Sequence, residues 1–174
     1  MAPAKDIETV VIRTQKAAKS IIDKTGPLKN PADRDHCLQY MVAVVLLKGS
    51  VIETSDYMDD SPWAFDPEVE RLRERMTVVE DTGFTRDYHD QKLRSGANGI
   101  KIQLKNGDEL PEVVVEFPVG HPKRKDALDK VKHKFRENVR RSGFSNEAID
   151  DIMRAVEDDD LPIRSFMDLF GKKG

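Results

Sequence analysis

The chain has 174 residues, 38% apolar and 35% charged, enough for one domain with a real core, or one domain plus a small appendage, under a heavily solvated surface. A net charge of −3 gives no general reason to bind nucleic acid or an anionic membrane. Cys37 is the only cysteine, which excludes an intrachain disulfide and a multi-cysteine metal site and makes a reducing compartment the default.

Met1 to Thr9 include Asp6 and Glu8 and lack the apolar stretch of a secretory signal, and their acidity speaks against a transit peptide. Val10-Val11-Ile12 is a β-branched run suited to a strand. From Thr14 the spacing of Ala17, Ala18, Ile21 and Ile22 turns helical, and Gly26-Pro27 and Asn30-Pro31 read as loop. A domain beginning so abruptly looks cut into. A central helix is expected from about Asp35 to Lys48, with Gly49 as its C-cap. Its second half, Met41 to Leu47, is apolar on every side, so burial all round is expected, and it is too short for a membrane span of about 20 residues.

Residues 53–66 read as an irregular acidic connection. Asp66-Pro67-Glu68 is a helix start, with an N-cap, a first-turn proline and an acid favoured by the dipole. Val69, Leu72 and Met76 give that helix an apolar stripe, and Thr77-Val78-Val79 reads as a strand. Residues 80–98 read as polar and irregular. Ile100, Ile102 and Leu104, then Asn106-Gly107, then Val113, Val115 and Phe117 spell a hairpin, and Pro111 suggests an irregular start or an edge position for its second strand. Residues 118–122 form a turn. A helix over 125–140 aligns Leu128, Val131, Phe135 and Val139. A second starts at the Ser145 N-cap, carries Ala148, Ile149, Ile152, Met153 and Val156, and stops at the acidic run 157–160. Residues 165–170 are a short amphipathic tail. Helices with a hairpin, rather than alternating βα units, give an α+β class.

Four histidines are available, His36, His89, His121 and His133, but no pair has the i, i+4 spacing of a helical metal site and no metal is expected. His133 sits among Lys130, Lys132 and Lys134 on a wet face. On one continuous helix His36 and Tyr40 are i, i+4 and reach the same surface, flanked by Asp35 and Gln39. An imidazole beside a phenol can position or protonate a substrate. A structural network satisfying buried polar groups is the competing reading. Arg86-Asp87-Tyr88-His89-Asp90, with Arg94 behind it, could clamp a carboxylate through either arginine, or be a solvated loop with local ion pairs. The basic run 120–125 could attract an anion or be a solvated helix start. There is no P-loop, GxGxxG or GxSxG.

The succession of these pieces resembles the C-terminal part of the MmgE/PrpD family, most closely its 2-methylcitrate dehydratases. The match is carried by Val10 to Gln15, Ile21 to Leu28, Asp33 to Val44, Val79-Glu80-Asp81, Phe84-Thr85, Asp87 to Asp90, Lys92, Arg94-Ser95, Ala97-Asn98, Leu104 to Gly107 and Val113 to His121. It runs from about residue 6 to 140, and is specific as an ordered set. The resemblance implies a cofactor-free loss of water from 2-methylcitrate, giving 2-methyl-cis-aconitate in the methylcitrate cycle of propionate catabolism. A related activity is decarboxylation of cis-aconitate. It also implies homodimers with a large helical domain, an α+β lid, and the active site between them.

Under this resemblance Tyr40 is the catalytic residue, in a motif like the family's His-x-x-x-Tyr, and His36 and Arg94 contact substrate. His121 matches a family position without an assignable role. Residues 1–120 are expected to be lid-like with the helix 35–48 inserted, and residues 121–174 a C-terminal helical segment. Family members are several times longer, and most of their catalytic residues lie before this region. The chain is therefore expected to be a truncated member, a fragment or one piece of a split protein, and inactive alone. The expected partners are a small tricarboxylic acid and either a second copy or a full-length homologue, with no nucleic acid and no membrane. The expected location is cytoplasmic or the mitochondrial matrix. An activity on another alkylcitrate or on cis-aconitate, and a non-catalytic interaction remnant, are the alternatives.

Overall fold

The computed structural model describes residues 4–171. They divide into two compact units at residue 118, described here one at a time.

The first unit is built on a four-stranded mixed sheet. Strand β1 (Ile7–Thr14) buries Ile7, Val10, Ile12 and Thr14, near the period of two that a half-buried strand requires. Strand β2 (Met76–Glu80) runs parallel to it, with Val10 opposite Met76 and Ile12 opposite Val78. On its other side β3 (Asn98–Leu104) is antiparallel, with Ile12 opposite Ile100 and Val10 opposite Ile102. Strand β4 (Val113–Val115) pairs with β3 and forms the edge, so the order is β2-β1-β3-β4. A parallel β1–β2 pair cannot be joined by a hairpin. The long connection between them supplies helices α1 (Lys16–Ile22), α2 (Pro31–Asp35), α3 (Leu38–Lys48) and α4 (Pro67–Arg73). Val10 and Ile12 of β1, Met76 and Val78 of β2, Tyr40, Ala43 and Val44 of α3 and Val69 and Leu72 of α4 close one core. Together with the second unit's helices this is an α+β fold, as expected.

The central helix differs from its expectation in two ways. It is broken: α2 ends at Asp35, His36 is its C-cap, and Cys37 is extended (φ −123°, ψ 106°) as the N-cap of α3. Asn30-Pro31, read as loop, instead starts α2, with the Asn30 side chain accepting from the Asp33 N–H at 2.8 Å and Pro31 in the first turn. In an unbroken helix Arg34 and Tyr40 would sit roughly 120° apart around the axis. The break at Cys37 lets both side chains turn inward, and both are buried. Second, α3 is not buried all round. Gln39, Tyr40, Ala43 and Val44 are buried, Val45 is exposed, and Met41, Val42, Leu46 and Leu47 lie between. An apolar sequence permits full burial; the number of neighbouring elements decides it.

The segment read as irregular contains helix α5 (Thr82–His89). The Asp81 carboxylate caps it, accepting from the Phe84 N–H at 3.0 Å, and also pairs with Arg13 of β1, whose guanidinium lies 5.1 Å from the centre of the Phe84 ring. The Asn106-Gly107 turn is present, with the Gly107 N–H donating to Leu104 O at 2.9 Å and Gly107 at φ +90°. Pro111 interrupts the return, and β4 lies at the edge with Val113, Val114 and Val115 all exposed rather than alternating.

In the second unit α6 (Ala127–Arg141), α7 (Asn146–Ala155) and α8 (Ile163–Asp168) enclose Phe144, Ile149 and Ile152, with Phe135, Val139, Phe166 and Phe170 packed around them. Ser145 caps α7, its Oγ accepting from the Ala148 N–H at 3.2 Å. Of the expected α6 stripe only Phe135 and Val139 are used; Leu128 and Val131 are exposed.

Candidate functional site

Tyr40 lies one turn past the Cys37 break, 1% exposed. Its hydroxyl donates to the Asp56 carbonyl oxygen at 2.7 Å. Asp56 belongs to a short 3₁₀ turn, Thr54–Tyr57, which is held from several directions. The Asp56 carboxylate accepts from the Glu53 N–H at 2.7 Å and from Lys48 Nζ, at the end of α3, at 2.8 Å. Arg34, fully buried, donates through Nε to the Tyr57 carbonyl at 2.6 Å and pairs with Asp59. Its guanidinium lies 5.7 Å from the centre of the Phe65 ring, and its buried Nη1 has no hydrogen-bond partner among the described residues.

These contacts set the electrostatics. Burial pushes the Tyr40 phenol up to about 12, partly opposed by the nearby Arg34 charge. Tyr40 is therefore a neutral hydrogen-bond donor at physiological pH, not a phenolate. Burial pushes the Tyr57 phenol up as well. For Asp56, burial alone would raise the carboxyl. The Lys48 ammonium and the Glu53 N–H outweigh that and hold it below the ordinary carboxylate value. Lys48 is raised in turn, chiefly by its bond to Asp56.

His36 goes elsewhere. Its ring pairs with the neighbouring Asp35 and its side chain is 59% exposed. The expectation that His36 and Tyr40 reach one surface is corrected: the helix break turns Tyr40 into the core and leaves His36 in solvent. Arg94 lies in neither place. It borders a depression of about 420 Å³ lined also by Tyr88, His89 and Gln91, at the end of α5. Its backbone φ is +44°, the only positive φ of a non-glycine among the described residues. An L side chain in that region costs roughly 1–2 kcal/mol. Of the other histidines, His133 is exposed as expected, and His121 Nδ1 accepts from the Lys123 N–H at 3.1 Å.

Sequence reasoning missed Asp56 as the partner of Tyr40, and Lys48 and Arg34 as the groups that hold the turn around it. One signal was available: Glu53 and Asp56 stand three apart like the ends of a capping box. Nothing local marks Arg34 as buried.

The geometry can be set beside known proteins. The family model of the MmgE/PrpD C-terminal domain matches residues 2–158. The chain belongs to the MmgE/PrpD family. This MmgE/PrpD domain is 48% identical to a 2-methylcitrate dehydratase-like protein of Aspergillus oryzae, over 98% of its own length and 34% of that protein's. It is 42% identical to an alkylcitrate dehydratase of Talaromyces stipitatus, over 95% of this chain and 35% of the relative. It is 43% identical to the 2-methylcitrate dehydratase of Escherichia coli, over 96% and 35%. The chain thus spans about a third of the length of the curated relatives it matches. Among the described residues no helix is long and apolar enough to cross a membrane.

Proposed function

We propose that this MmgE/PrpD domain serves the dehydration of a 2-alkylcitrate, with 2-methylcitrate giving 2-methyl-cis-aconitate as the first substrate to test. The observation that carries this reading is similarity of 42–48% identity, along almost the entire chain, to relatives named for that reaction. The alkylcitrate dehydratase name among them supports including longer alkyl groups. Dehydration removes a proton and a hydroxyl from adjacent carbons with no net redox change, so the reading calls for no redox cofactor.

In this reading Tyr40 is the proton donor. A phenol held near 12 stays protonated and can hydrogen-bond to, and protonate, the departing hydroxyl. It must then exchange its Asp56 carbonyl bond for the substrate. In this reading the base that removes the proton comes from outside these 174 residues. The 1–120 segment acts as the lid-like part and 121–174 as a helical segment. Exposed Val51, Phe65 and Val45 in the first unit support association with a second copy or a longer homologue.

The test is turnover. Tyr40→Phe, placed in a chimera in which this chain replaces the matching third of the E. coli enzyme, should lower kcat for 2-methylcitrate by roughly 10²–10⁴-fold with little change in KM. Unchanged kcat in the Tyr40→Phe chimera would remove Tyr40 from the chemistry.

A further inference from the structure

The turn Thr54–Tyr57 ends in two carbonyls that its own backbone does not bond. Its internal bonds include the Asp56 N–H to Glu53 O at 3.0 Å and the Met58 N–H to Ser55 O at 3.3 Å. Asp56 O and Tyr57 O lie past the last of these acceptors, where a helical turn leaves its final carbonyls open. Side chains from outside the turn satisfy both. The Tyr40 hydroxyl donates to Asp56 O at 2.7 Å, and Arg34 Nε donates to Tyr57 O at 2.6 Å. Neighbouring carbonyls are thus held by the two residues that the break at Cys37 turns inward.

The two holders are unequal. A phenol has a single O–H to donate, and Tyr40 gives it to Asp56 O. A guanidinium carries donors on three nitrogens. Arg34 uses Nε on Tyr57 O and Nη2 on Asp59, and its buried Nη1 has no partner among the described residues. The Arg34 side chain is wholly buried, whereas that of Asp59 is 65% exposed, so only one end of this ion pair sits in the core. Stability alone does not call for such a residue, because an apolar side chain of similar volume often serves as well. What an apolar side chain lacks is the unused donor, and that donor stands on the residue already gripping the carbonyl next to Asp56 O.

We propose that Arg34 is a positioning residue for Tyr40: when the Tyr40 hydroxyl leaves the Asp56 carbonyl, Arg34 Nη1 donates to that carbonyl in its place. The exchange keeps the turn satisfied while the phenol is free to act. Without it, every departure of the hydroxyl strands a buried acceptor, which is an unfavourable state. That the freed hydroxyl then meets a substrate rests on the dehydration reading; the exchange itself rests on the geometry of the turn.

The test is a double-mutant cycle on the full chain, with Tyr40→Phe and Arg34→Met, read by urea unfolding. Tyr40→Phe removes the hydroxyl and so imitates its departure. Arg34→Met fills the space and removes Nη1. With Arg34 in place the exchange lessens, without cancelling, the loss caused by Tyr40→Phe. In the Arg34→Met background Tyr40→Phe should therefore raise the unfolding equilibrium constant by about tenfold more than it does in the wild type. Two residues that merely brace one turn give the opposite sign, since the first loss already loosens what the second would release. Additivity within about twofold, or a smaller loss in the Arg34→Met background, would overturn the proposal. If Arg34→Met does not fold, NMR of the Tyr40→Phe chain decides. The Arg34 Nη1 protons should move downfield and exchange with water more slowly than in the wild type, and unmoved resonances would reject the exchange. Neither readout needs turnover. Failure of the exchange leaves the dehydration reading standing, and failure of turnover with the exchange intact would sink that reading alone.

Discussion

Tyr40 and Asp56 are joined by a phenol-to-carbonyl hydrogen bond of 2.7 Å that ties α3 to the turn at residues 54–57. The bond holds the hydroxyl inside the core, where burial keeps it protonated. It also makes the candidate catalytic group a structural one: the same atom cannot donate to a substrate while it donates to Asp56.

Tyr40→Phe should destabilise the chain by about 1–3 kcal/mol, because the buried Asp56 carbonyl loses its donor. Urea unfolding monitored by circular dichroism measures this. The pH dependence has a definite sign. The folded phenol is raised above its ordinary value of 10.0 to about 12, so its contribution is fully present below pH 10 and is lost as pH rises towards 12. Tyr40→Phe should remove that alkaline loss; an unchanged alkaline limb would contradict the assignment.

Asp56→Asn should unfold more easily at neutral pH by about 1–2 kcal/mol, through the weakened Lys48 contact and the altered acceptor for the Glu53 N–H. Asp56 is lowered in the fold, so its contribution is present above its ordinary value of 3.8 and is lost as pH falls below it. The wild-type chain should therefore lose stability on acidification through this window more steeply than the Asn variant. Parallel slopes in acid-denaturation curves would show that Asp56 is not a contributor.

Arg34→Ala should cost about 2–4 kcal/mol, since it strips the donor from Tyr57 O and leaves a cavity. Arg34→Met should cost less, because an apolar chain of similar length fills the space and removes a guanidinium whose Nη1 has no partner among the described residues. Equal losses for the two variants, measured by urea unfolding, would show that packing around Arg34 is irrelevant.

Asp81→Ala should unwind α5 and cost about 1–2 kcal/mol for the lost cap. Faster amide exchange at Phe84 and Thr85, with little change at β3, would register it. Unchanged protection there would mean that Arg13 and Phe84 hold the helix without the cap.

These cases show what the chain revealed before folding. Features written in two or three adjacent residues were legible: the Asn106-Gly107 turn, the Asp66-Pro67 helix start, the Ser145 cap. So was the α+β class, and the ordered motifs pointed to the family. Features decided across the sheet were not. The break at His36-Cys37 carries no glycine or proline, and follows from the need to bury Arg34 and Tyr40 together. Helix α5 is polar and short, and only the capping aspartate at 81 announced it. Val113 and Val115 read as one alternating face with Phe117, yet both are exposed, because an edge strand needs a cover that nothing in its own sequence supplies. Tyr40 and His36 were placed by spacing, which fixes a shared face only if the helix is continuous.

The most direct measurement of the central claim is turnover of 2-methylcitrate by the chimera carrying this chain in place of the matching third of the E. coli relative, followed by formation of the unsaturated acid. Dehydration within about tenfold of the parent enzyme, abolished by Tyr40→Phe, is the expected result. A folded chimera that binds the substrate and fails to dehydrate it would contradict the assignment of this domain to that reaction.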